Sequence, residues 1–128
     1  MVAADRRDGD KFSLDEFDPI RVDRIAPDDA TSIRTGGAKA CLKGIEFHNF
    51  GAFFSRAYRE NDYLWGRLHG AERLIDILLS TLPADMEFSA EMIAEAKHEA
   101  FIEILNEERP RLKHIPDLFA DLAVKLGL

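Results

Sequence analysis

From Lys43 to Leu82 the apolar residues fall into two runs with the three- and four-residue spacing of a helix face. The first is Phe47, Phe50, Phe54 and Ala57; the second is Leu64, Leu68, Ala71, Leu74, Ile75 and Leu78. Between them lies the polar stretch Arg59-Glu60-Asn61-Asp62. The pattern predicts a helix beginning near Lys43 or Gly44, a capped break, and a second helix from Asn61 or Asp62 that stops at Pro83. Gly66 and Gly70 inside the second helix each cost about 1 kcal/mol relative to alanine, so a tight helix crossing or a close ligand near Trp65 is expected. Ser89 reads as the cap of a third helix, with Ile93, Ala96, Ala100, Ile104 and Leu105 on one face, ending before Pro110. Its other face carries Glu95, Glu99, Glu103 and Glu107, like charges that belong in water. Pro116 opens a short closing helix through Leu118, Phe119, Leu122, Ala123 and Leu126.

Ahead of these helices the pattern changes. Residues 1–18 mix Asp, Arg, Gly and Lys around Phe12, Leu14 and Phe17 and read as a flexible, solvated arm. Between Pro19 and Pro27, the segment Ile20 to Ile25 has the composition of a short strand, which needs a partner from another chain or from a sheet lying elsewhere. Asp28-Asp29-Ala30-Thr31-Ser32 and Thr35-Gly36-Gly37 are turn chemistry, the double glycine permitting positive backbone dihedrals. The expected fold is therefore all-α, a bundle of about four helices with one short N-terminal strand, residues 19–128 forming a single mainly helical domain.

Composition narrows the function classes. With 128 residues and 46% hydrophobic side chains, the chain is long enough for one real core. The net charge of −7 and an acidic C-terminal half argue against a nucleic-acid partner. Cys41 is the single cysteine, so no intrachain disulfide forms, and an idle, buried thiol is the expected state. Neither a signal-peptide pattern nor an apolar run of membrane-spanning length appears, which suggests a cytoplasmic protein.

Candidate chemistry is sparse. Lys97-His98-Glu99 resembles the start of a zinc-protease helix, but Ile102 stands where the second histidine belongs. Glu95-x-x-His98 has di-iron ligand spacing, and the further pairs such a site needs are missing from the sequence. His48, His69 and His114 have no clustered partners, and no serine stands in a Gly-x-Ser-x-Gly elbow. No catalytic residue, metal ligand or cofactor site is assigned. The remaining candidate is an arginine and aromatic patch, with Arg59, Asn61, Asp62, Trp65 and Arg67 as the binding residues: the guanidinium forks would grip a phosphate or carboxylate beside an aromatic wall. The alternative is structural, with Arg59 and Arg67 pairing to Glu60, Asp62 or Glu72 and Trp65 in the core.

One run carries a family resemblance. His48-Asn49-Phe50-Gly51-Ala52-Phe53-Phe54-Ser55-Arg56-Ala57-Tyr58-Arg59-Glu60-Asn61-Asp62-Tyr63-Leu64-Trp65-Gly66-Arg67-Leu68, continuing through Gly70-Ala71-Glu72-Arg73-Leu74-Ile75, resembles the C-terminal helical region of bacterial patatin-related proteins. Val22 to Ala30 is similar to the family's lead-in segment, so the resemblance covers roughly residues 20 to 82. In that family the helical region follows a patatin-like lipid acyl hydrolase domain. The catalytic serine, the Asp-Gly aspartate and the oxyanion loop belong to that domain, and none maps onto a position here. The resemblance implies a noncatalytic module that docks on or supports a patatin-like hydrolase domain, in cis or in trans. A module that binds lipid head groups or a membrane interface is the second reading, and an independent enzyme the weakest. Self-association through the uncompleted strand or an apolar face is also expected.

Overall fold

The computed structural model describes residue 20, residues 22–45 and residues 55–128. The arm expected over residues 1–18 and the helix positions Phe47, Phe50 and Phe54 lie outside the described residues. Among the described residues, four helices follow a 3-10 turn at Pro27–Asp29: α1 Gly37–Cys41, α2 Arg56–Ser80, α3 Ala90–Glu108 and α4 Pro116–Leu126. The all-α expectation holds. No strand occurs among the described residues: Ile20 and residues 22–26 carry no regular structure. Arg24 ties this stretch to its surroundings: its carbonyl accepts from Arg73 Nε at 3.1 Å, and its guanidinium donates to the Asp29 carboxylate at 2.6 and 2.7 Å. Strand propensity needs a ladder partner, and the described residues supply no second strand for this stretch.

The break expected at Arg59–Asp62 is absent, and Lys43 to Ile45 is a turn rather than a helix start. The first turn of α2 is capped six residues earlier than expected, where the Ser55 hydroxyl accepts from Tyr58 N at 3.1 Å. At the other end the Ser80 and Thr81 hydroxyls donate back to the carbonyls of Ile77 and Leu78 at 2.6 and 2.7 Å, so α2 closes just before Pro83. The remaining boundaries follow their local signals. The Ser89 hydroxyl accepts from Met92 N, Pro116 occupies the first turn of α4, and Gly127 takes a φ of 76° to close it.

The antiparallel pair α2 and α3 supplies most of the core: Leu64, Trp65 and Leu68 meet Phe101, Ile104 and Leu105. Phe119 and Leu122 of α4, with Ile115 before it, seal one side, and Cys41 of α1 another. Burial pushes the Cys41 thiol pKa up, so it stays protonated and inert. The double glycine also behaves as its composition predicts. Gly36 and Gly37 both have positive φ, and a Cβ on Gly37 would collide with the Asp28 carboxylate, which accepts from Ala38 N at 3.2 Å and holds α1 in place.

The reason expected for Gly66 and Gly70 is not found. A Cβ at either position would meet nothing within 4 Å, so no close crossing requires them. Gly66→Ala and Gly70→Ala are therefore expected to raise stability by about 0.5–1 kcal/mol each, read from urea unfolding. A loss at either position would reveal a contact that needs the bare backbone.

Candidate functional site

Helix α2 acts as an axle whose acidic side chains hold the connectors around it. Glu60, Asn61, Asp62 and Glu72 sit among its first five turns, and three of them are almost fully buried. Glu60 accepts from the His114 backbone N–H and from its ring Nδ1, both at 2.9 Å, and from Arg56 Nε at 3.1 Å. Asn61 donates to the Cys41 carbonyl at 2.8 Å and to Asp62 at 2.9 Å. Asp62 accepts the backbone N–H groups of Lys43 and Gly44 at 2.6 and 2.7 Å. Glu72 accepts those of Thr31 and Ser32 at 3.3 and 3.2 Å. Each carboxylate thus satisfies connector donors that would otherwise be orphaned, and this is why a polar run lies in mid-helix without breaking it.

The five residues proposed from sequence do not converge on one point. Asn61 and Asp62 face the connector after α1. Trp65 is wholly buried, with the Arg34 guanidinium 4.8 Å above its ring and the His69 ring 5.1 Å away. Arg34 is held there by bonds to the Ala40 carbonyl and to Asp121, both at 2.9 Å. Arg67 bridges to α3, 3.1 Å from Glu107 and 3.3 Å from Glu108. Only Arg59 of the five is exposed, on the rim of an open groove of about 350 Å³ that also involves Arg56, Glu60, Tyr63, Arg111 and Leu112. Sequence reasoning missed Arg111, which lies beyond the patch in a connector that only folding brings to α2.

Two buried acids control the electrostatics of this end. Burial pushes the Glu60 carboxyl up, but the His114 bonds and Arg56 outweigh it and hold the pKa below its ordinary value. Glu108 is completely buried, its carboxylate 2.7 Å from Arg111 and 3.3 Å from Arg67. These are close ion pairs rather than well-aligned hydrogen bonds. Burial again pushes upward, and Tyr63, Arg67 and Arg111 together hold the Glu108 pKa down. The Tyr63 phenol is pushed up, first by the Glu108 carboxylate beside it and then by burial. His69 is also buried, neither ring nitrogen having a partner among the described residues, and burial lowers its pKa against the opposing pull of Glu72.

The described residues hold no group of three or more His, Cys, Asp or Glu placed to bind a metal ion. The family model described as "Protein of unknown function (DUF3376)" matches residues 8–124. The chain belongs to that family. A stretch of 55 residues is 46% identical to the uncharacterized membrane protein Rv3479 of Mycobacterium tuberculosis, covering 43% of this chain and 4% of that protein. The chain thus corresponds to a small fraction of the curated relative it matches. Among the described residues of this DUF3376 chain, no helix is long and apolar enough to cross a membrane. No solved structure matches it.

Proposed function

We propose that the chain is a noncatalytic C-terminal module of a patatin-like lipid acyl hydrolase, docking on and supporting a hydrolase domain in the same polypeptide or in another. The sequence resemblance over residues 20 to 82 supports the link to that class. The observation that carries the docking role is the uncovered far end of the α2–α3 hairpin. Leu74, Leu78, Met86, Phe88 and Met92 are 58, 65, 51, 40 and 56% exposed there, although helix spacing had placed Leu74 and Leu78 on a buried face. The hairpin overshoots the core, and the surplus apolar surface is left for a partner.

Charge selects the kind of partner. Asp76 is paired with Arg73 and Lys97, but Asp85, Glu87, Glu91 and Glu95 follow with no lysine or arginine between Leu78 and Ala96. An acidic rim of this sort repels an anionic lipid surface and suits a protein surface whose apolar centre is flanked by basic side chains. Co-expression with a patatin-like hydrolase domain is expected to give a one-to-one complex by size-exclusion chromatography with light scattering. Leu78→Glu and Phe88→Glu should each weaken that complex on the order of 30-fold while leaving the far-ultraviolet dichroism of the module unchanged. A module that stays monomeric at every concentration and forms no complex would overturn the reading, as would a complex indifferent to both substitutions.

A further inference from the structure

The opposite end of the hairpin presents a different surface. Helix α2 opens with Arg56 at its first position and Arg59 in the fourth, and no acidic residue occupies its first turn. The partial positive charge of a helix N-terminus disfavours cations by roughly 0.3–1 kcal/mol each, so two arginines there run against the local electrostatics. Arg111 reaches the same groove from the connector between α3 and α4. The groove is lined by three arginines and one carboxylate, Glu60, with Tyr63 and Leu112 completing the walls.

The charges of Arg56 and Arg111 are only partly spent inside the protein. Among the described residues, Arg56 pairs with Glu60 through Nε alone, and Arg111 pairs with Glu108 through Nη1 alone. Their side chains remain 65 and 59% exposed. Glu60 also takes two hydrogen bonds from His114, and Glu108 shares its charge with Arg67, so each acid fixes an arginine in place through one nitrogen and leaves its other donors available.

We infer that this groove is a binding site for a phosphate-bearing ligand, gripped between Arg56 and Arg111, with Tyr63 and Leu112 against the organic part. Guanidinium groups arriving from two separate elements suit the several-sided oxygens of a phosphate better than a planar carboxylate, which one fork satisfies. About 350 Å³ of space accommodates a phosphate with a small organic group attached. The site lies at the other end of α2 from the apolar tip and does not rest on the docking reading. The phosphate could belong to a free phosphomonoester or to a lipid head group, and the two sources are separable.

The test measures binding to inorganic phosphate and glycerol 3-phosphate by calorimetry, and to phosphatidylcholine vesicles with and without phosphatidic acid by sedimentation. Arg56→Gln leaves both His114 contacts on Glu60 and should fold; it is expected to weaken binding by about tenfold. Arg111→Lys, which keeps a charge beside Glu108 but loses the fork, should weaken it several-fold. Lys125→Gln, on α4, should change nothing. Binding to the soluble phosphates that is sensitive to Arg56 identifies a free ligand. The same sensitivity seen only on phosphatidic acid vesicles identifies a head group. Absence of binding in every arm, or binding that Arg56→Gln and Arg111→Lys leave as strong as Lys125→Gln does, overturns the inference.

Discussion

Trp65→Ala is expected to cost about 3–5 kcal/mol, the usual range for truncating a fully buried large aromatic to alanine. The ring is 0% exposed and sits among Leu64, Leu68, Phe101 and Leu105, with Arg34 stacked above it. A single-domain protein is stable by only about 5–15 kcal/mol, so the melting temperature should fall by roughly 10–20 °C, and the variant could be unfolded in a large fraction of molecules. Trp65→Phe should retain most of the stability. The indole N–H has no partner among the described residues, so removing it forfeits no hydrogen bond. A loss below about 1 kcal/mol for the alanine variant in urea unfolding would contradict a core role and return Trp65 to the ligand-binding candidates.

Acid should unfold this protein in two stages. The His69 pKa lies below its ordinary value of 6.5 in the folded state, so from about pH 6.5 downward the unfolded chain takes up a proton that the native chain resists, and stability declines. Glu60 and Glu108 also titrate below their ordinary value of 4.5 when folded. Their contribution is complete above pH 4.5 and is lost as the pH falls from there through the depressed folded values. Glu108→Gln removes the buried charge but leaves Arg67 and Arg111 able to turn toward water, so its cost at neutral pH is set at about 2–4 kcal/mol, a little under that of a fully enclosed pair. Urea midpoints from pH 3 to 7 check both points. The wild-type and Glu108→Gln curves should converge below pH 4.5, and parallel curves throughout would show that Glu108 does not carry the acid response.

Much of the helical plan was legible because its signals are local. Pro83, Ser89, Pro110 and Pro116 act close to their own positions, and the spacing of Leu64, Leu68, Ile104, Leu105, Phe119 and Leu122 marks a core whatever surrounds it. Glu108 could also have been found. It lies four residues after Ile104 and three after Leu105, so a charge stood in the core register, and Arg111 one turn later was its natural counter-ion. The Arg59-Glu60-Asn61-Asp62 run misled because a polar cluster is read as solvent-facing or as a break. Here the solvent is replaced by backbone N–H groups of residues 43, 44 and 114.

The sequence by itself determined the helical class, four of the helix ends, the double-glycine turn and the inert buried thiol, since these depend on backbone preferences and on periodic burial. Only the tertiary structure decided what the polar residues do. Antiparallel pairing of α2 with α3 collects Arg56, Arg59 and Arg111 at one end of the hairpin and leaves Leu74, Leu78, Phe88 and the acids around them at the other. Counting charge along the chain averages those two ends together. Their separation appears only when residues about fifty apart in sequence become neighbours across a helix pair, a relation no local pattern contains.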